Sequence, residues 1–170
     1  MLKNALLLTA IALSLPAHAA QPDNVIFDWK LFHNGELVDG QPPITRVLDG
    51  GPYPYRSLTP HRYNQSSVRD GNKVKTVPGY FNTGVELTLK PSWQNGVAFD
   101  YDIRQYHLNG FTRLPGSLPL ETPDQNTYEA RGSLPPLAVG ETAVIRLTCD
   151  LDMPVEQCPY HVELRVLQVN

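Results

Sequence analysis

The chain has 170 residues, 14 basic and 17 acidic, with sixteen prolines, twelve glycines and only two cysteines. A formal net charge of −3 with no basic block argues against nucleic acid or an anionic membrane as partner. The length suits one domain, large enough to bury a core.

The first residues read MLKNALLLTAIALSLPAHAA. Lys3 supplies a positive start, Ala5 to Leu15 an apolar stretch, and Ala17-His18-Ala19 a small-x-small cleavage site. This is the pattern of a secretory signal peptide over residues 1–19, with cleavage after Ala19 or Ala20. The apolar run is too short for a transmembrane anchor, and no second one follows. Cleavage at Ala19 leaves 13 basic against 17 acidic residues, a net charge of −4, in a single domain over 20–170. The expected location is the periplasm of a Gram-negative bacterium, or the exterior.

Short alternating runs then recur between turn signals, without long amphipathic helical windows, which predicts an all-β domain. VIFDWKLF (25–32) is a predicted strand, turned by His33-Asn34-Gly35 toward 36–38, and ITRVL (44–48) is another. Asp49 to Gly71 is rich in Pro, Gly, Ser and Tyr and reads as a long loop or an irregular edge. Strand is expected again over Lys73 to Val77. Val85–Lys90 and Val97–Tyr106 form a predicted hairpin around PSWQNG. FTRLPGSLPLETPDQN reads as a second loop, followed by strand over Asn126–Arg131. LPGSLPL (114–120) and RGSLPPL (131–137) share turn chemistry without making a repeat.

Glu141–Cys149 and Tyr160–Val169 are strands rich in Val, Ile and Leu. Alternation puts Ala143, Ile145 and Leu147 on one face, and Val162, Leu164 and Val166 on the matching one. Pairing these strands brings Cys149 and Cys158 together, so the two cysteines are expected to form a disulfide. A redox or metal pair would call for CxxC spacing, which TCDLDMPVEQC lacks. The predicted fold is therefore a single antiparallel β-sandwich-like domain with long Pro/Gly/Tyr-rich loops and one disulfide hairpin.

VAFDYDI carries the candidate acid/base pair. Val97, Phe99, Tyr101 and Ile103 form an apolar face, and Asp100, Asp102 and Arg104 lie on the other. Two positions of strand separate the carboxylates by about 6.5–7 Å, which suits an acid/base pair or a cation. The same alternation also makes them the wet face of an antiparallel strand, with Lys90 or Arg104 as partners. His33, His61, His107 and His161 lack HxxxH spacing, and His161, Glu163 and Arg165 read as a solvent face. Ser117 and Ser133 sit in Gly-Ser-Leu-Pro turns without a recognisable base, and no phosphate or cofactor motif is present. No catalytic residue and no cofactor or metal is expected. The candidate contact surface is GGPYPYRSLTPHRY, with Tyr53, Tyr55, Arg56, Arg62 and Tyr63. Equally, those tyrosines read as packing under a loop folded over its own core.

GVELTLKPSWQNGVAFDYDI resembles the segment of bacterial secretins in which Gly-Val-x-Leu-x-Val-x-Pro precedes an alternating strand. Upstream, PPITRVLDGGPYPYR is similar to the secretin strand that leads into an Asn/Asp-Gly turn. Downstream, AVGETAVIRL is similar to the Asp-Gly-Gln-Thr-Val-Val-Ile strand. The three pieces span residues 42–147 in the secretin order. Arg146 to Cys149 stand where secretins continue with Gly-Gly, and the chain is too short for their ring domains and barrel. The resemblance implies a β module related to the outer-membrane channels of type II and III secretion and type IV pili. It carries over no catalytic residue. The expected function is a non-enzymatic periplasmic binding or assembly component with an envelope protein partner. The alternatives are a small hydrolase or metal-dependent enzyme using Asp100 and Asp102, and a secreted inhibitor or adhesin-like module.

Overall fold

The computed structural model describes residues 21–116, 120–150 and 152–170. The predicted signal peptide and Ser117 lie outside the described residues. Among the described residues eight strands follow in order: β1 (Asn24–His33), β2 (Glu36–Val47), β3 (Tyr53–Asp70), β4 (Lys73–Trp93), β5 (Val97–Arg113), β6 (Glu121–Leu137), β7 (Thr142–Leu147) and β8 (Tyr160–Val169). Two antiparallel four-stranded sheets pack face to face. One has the order β2-β1-β8-β7 and the other β3-β4-β5-β6. The all-β, sandwich-like prediction holds.

The alternating patterns become the two inner faces. Val25, Phe27, Trp29 and Leu31 of β1 and Val162, Leu164 and Val166 of β8 are buried, with Ile145 and Leu147 of β7 beside them. Val85, Leu87 and Leu89 of β4 and Phe99 and Ile103 of β5 meet them from the second sheet. Phe27 and Phe99 join the layers edge-to-face at 5.2 Å. At one corner Leu48 N–H donates to the Asp23 carbonyl (2.8 Å) and Asp49 N–H to the Pro91 carbonyl (3.1 Å). On the opposite flank Glu129 of β6 exchanges hydrogen bonds with Thr148, its N–H donating to Oγ1 at 2.8 Å.

Three expectations are corrected. Of the two readings of Asp49–Gly71, the loop is corrected: the segment is mostly the sheet-edge strand β3, paired with β4 from Tyr53↔Leu89 to Asp70↔Lys73 with one irregularity between Asn64 and Ser66. The second predicted loop is largely the ends of β5 and β6, and RGSLPPL lies within β6. Proline misled in both places because it is tolerated where a strand has a free edge. Pro54, Pro60, Pro123, Pro135 and Pro136 lie on the sheet-edge strands β3 and β6, as Pro42 and Pro43 do on β2. Third, His161 is 5 % exposed and not on a solvent face; its ring stacks on Phe32 at 4.9 Å.

The strand lengths differ between layers. β3 to β6 run 17 to 21 residues, whereas β1 and β8 have 10 each. At roughly 3.3 Å per residue, β4 is about twice as long as β1. β4 pairs with β5 only from Trp93↔Val97 to Gly84↔Tyr106. Beyond Gly84 the β3–β4 pair continues alone as a first hairpin, and β5–β6 continues as a second. Gly84 has φ +118°, and a Cβ there would lie 2.1 Å from the Ser57 carbonyl oxygen. Only glycine fits where the strand leaves its partner.

Candidate binding site

The five residues of the predicted contact patch go to three environments. Tyr53 is only 8 % exposed, edge-on to Phe27 at 6.1 Å with the Arg46 guanidinium 4.7 Å over its ring. Burial raises its hydroxyl pKa. Tyr55 packs against Trp29 at 4.8 Å, and its hydroxyl donates to Asp39 Oδ1 at 3.1 Å. These two tyrosines tie the sheets together and are not surface anchors. Arg56 lies on the opposite face, its Nε 2.9 Å from Glu86 Oε1. Arg62 and Tyr63 belong to the first hairpin. Arg62 is exposed, and the Tyr63 ring covers Gly79, where a Cβ would approach Cζ to 2.5 Å.

Asp100 and Asp102 lie on the outer face of β5, the side opposite Phe99 and Ile103. Asp100 Oδ1 accepts from Ser133 Oγ at 2.6 Å. Asp102 accepts from the Arg131 guanidinium, Nε at 3.0 Å, and its Oδ1 is 3.7 Å from Arg104 Nε. Arg104 in turn faces Glu86 across the β4–β5 ladder and reaches Glu129 at 3.9 Å. Tyr106 donates to Glu86 Oε2 at 3.0 Å. The result is a continuous ladder of opposite charges from Arg56 across four strands to Arg131. Asp102, first, raises the already high pKa of Arg104. Solvent screens cross-strand pairs of this kind at an exposed surface, so they contribute little to stability. The anticipated pairing of Asp102 with Arg104 is present, and Ser133 acts as a hydrogen-bond donor on a strand.

The histidines do not join the aspartates. His107 Nδ1 lies 2.8 Å from the Tyr160 hydroxyl, and the His33 ring stacks on Tyr160 at 4.4 Å. Tyr128 completes this cluster at 4.8 Å from Tyr160, between the sheets where the hairpins emerge. Burial raises the Tyr160 pKa, with Tyr128 adding to it. His61 lies on the first hairpin, 2.7 Å from Thr83 Oγ1 and stacked on Phe81. Among the described residues no three His, Cys, Asp or Glu side chains converge as metal ligands. Sequence reading missed the His33–His107–Tyr160 cluster because β1, β5 and β8 meet only in the assembled sandwich.

Exposed apolar side chains stand on both hairpins, and others on β2 and around the β6–β7 turn. Val68, Val74, Val77 and Tyr80 (68 % exposed) stand on the first, and Phe111 and Leu114 on or just past the second. The hairpins touch through Phe81 and Phe111, 5.8 Å apart, and through Gln125 Nε2, which donates to the Asn82 carbonyl at 2.7 Å. No protein-family model, curated protein or solved structure matches the chain. No helix among the described residues is long and apolar enough to cross a membrane.

Proposed function

We propose that this chain is an exported, non-enzymatic envelope component that binds or helps assemble other proteins, accessory to a secretion or pilus system. One observation carries the reading: the second sheet outruns the first and ends in two hairpins with exposed Val68, Val74, Val77, Tyr80 and Phe111. An isolated two-stranded hairpin is marginal in water, so packing of the sandwich does not by itself explain strands of this length. Exposed apolar side chains grouped on one projection mark a protein-contact surface. The free edges of β3 and β6 offer backbone groups for strand addition. The Cys149–Cys158 disulfide supports an oxidising compartment, and the leader-like start supports export to the periplasm. The secretin resemblance supports the secretion or pilus setting.

In-cell crosslinking followed by purification tests the reading. The wild-type chain is expected to give discrete envelope adducts. The variant Val68→Ser/Tyr80→Ser is expected to lose them while keeping its melting temperature, because both side chains are exposed. A strictly monomeric protein that captures no envelope partner overturns the proposal.

A further inference from the structure

Charge is distributed unevenly along the molecule. Residues 58–83, the first hairpin, hold Arg62, Arg69, Lys73 and Lys75 against Asp70 alone, a net +3 in a chain of total charge −3. The remainder therefore carries −6. Three of these cations sit at the tip, all exposed: Lys73 faces Asp70 across the turn, Arg69 is one residue back, and Lys75 lies 3.7 Å from Asp70 Oδ2, which leaves the tip a net +2. Exposed Val68 and Val74 stand between them, with Val77 just behind.

The opposite end of the sandwich has the complementary character. Asp23 and Asp49 meet at the β2–β3 corner, where Leu48 N–H bonds the Asp23 carbonyl at 2.8 Å. Glu141, in the β6–β7 turn, accepts from Ala138 N–H at 2.7 Å. All three carboxylates are exposed, beside the exposed Val47 and Val139. Of the cations nearest this end, Arg46 lies on the Tyr53 ring, Lys90 stands opposite Asp100 on the flank, and Arg165, opposite Thr142, is taken up by Asp28 at 2.9 Å. From Lys73 at the tip to Trp93 at the base, β4 spans about 65 Å of strand. That is many times the Debye length of about 8 Å at physiological salt. The two ends cannot neutralise each other within one copy.

We infer that the basic, aliphatic tip of the first hairpin docks on the acidic, aliphatic base of a second copy of this chain. The contact is head-to-tail: each copy offers one tip and one base, so it propagates into a ring or an open filament instead of stopping at a two-fold dimer. This inference rests on the assembly reading and names a partner for it. Attraction between the ends brings copies together and sets their polarity, and the valines supply apolar contact once water leaves.

Sedimentation of the purified mature chain at low and high salt tests it with charge-reversed variants. The wild type is expected to form oligomers at low salt, and the tip–base association constant to drop at least tenfold at high salt. Lys73→Glu/Lys75→Glu alone and Asp23→Lys/Glu141→Lys alone are expected to remain monomeric. Mixed together they are expected to associate, since the acidic tip of one meets the basic base of the other. Circular dichroism confirms that each variant is folded. A wild type that stays monomeric at low salt overturns the inference, as does a mixture that fails to associate. Envelope adducts captured in cells from a chain that is monomeric in solution would sink the self-docking inference and leave the broader proposed function standing.

Discussion

Tyr53 and Arg62 lie in one run that reads as a single contact patch, and the fold sends them to opposite environments. Tyr53 turns inward onto Phe27, and Arg62 turns outward on the first hairpin. Truncating a buried aromatic to alanine costs about 3–5 kcal/mol. Tyr53→Ala should therefore lower the melting temperature by roughly 10 °C in a domain of this size, and Arg62→Ala should leave it within about 1–2 °C. Equal shifts in thermal melts would contradict the placement. His161 makes a second prediction at this scale. Its Nδ1 is buried without a partner, and burial holds its pKa below the ordinary 6.5, partly offset by Glu163 and Glu156. The unfolded chain takes up the proton first as pH falls. Stability present above 6.5 is then lost as pH drops through the lower folded value. Melts followed from about pH 7.5 to about pH 5 should show that decline, and His161→Phe, which can keep the stack on Phe32, should flatten it. An unchanged slope in the variant would rule His161 out as the cause.

At the scale of elements, alternation was the dependable signal and proline the misleading one. Val97, Phe99, Tyr101 and Ile103 face inward as the period of two requires, and Asp100 and Asp102 face out. The hairpin around Gln94-Asn95-Gly96 pairs Trp93 with Val97 as the turn residues suggest. Pro54 and Pro60 read as loop because a local window does not reveal that β3 lies at a sheet edge, where a missing N–H costs little. Two predictions belong here. Gly84→Ala puts a methyl against the Ser57 carbonyl at a positive φ, and should destabilise the domain by about 2 kcal/mol or more. A chemical denaturation midpoint equal to wild type would contradict that strain. Cys149 and Cys158 are linked where β7 and β8 end at Leu147↔Tyr160. Replacing both with serine should cost about 2–3 kcal/mol. The native mass should lie two hydrogens below that of the reduced chain, and a mass equal to the reduced one would refute the link.

At the scale of the molecule, the sandwich class and the disulfide hairpin were readable in advance because both rest on local pattern. The β7–β8 strands, rich in valine, isoleucine and leucine, bring their own cysteines together, so pattern and crosslink agree. The sheet order was not readable, since β8 inserts between β1 and β7 and that pairing spans nearly the whole chain. The exposed apolar hairpin was hidden for the same reason. Val68 reads as loop and Val74 as part of a short separate strand until β3 and β4 bring them, with Tyr80, onto one projecting hairpin. Of the candidate patch, Arg62 and Tyr63 are on that hairpin, and Tyr53 and Tyr55 pack at the base of the sheet.

Site-specific photo-crosslinking of the chain in living cells tests the proposed hairpin surface. A photoreactive residue is placed at Tyr80 on the first hairpin, at Phe111 on the second, or at exposed Lys30 on the outer face of the short sheet. Adducts to a second polypeptide from Tyr80 and Phe111, with none from Lys30, are the predicted result. Adducts from Lys30 alone, or from none of the three positions, would contradict it.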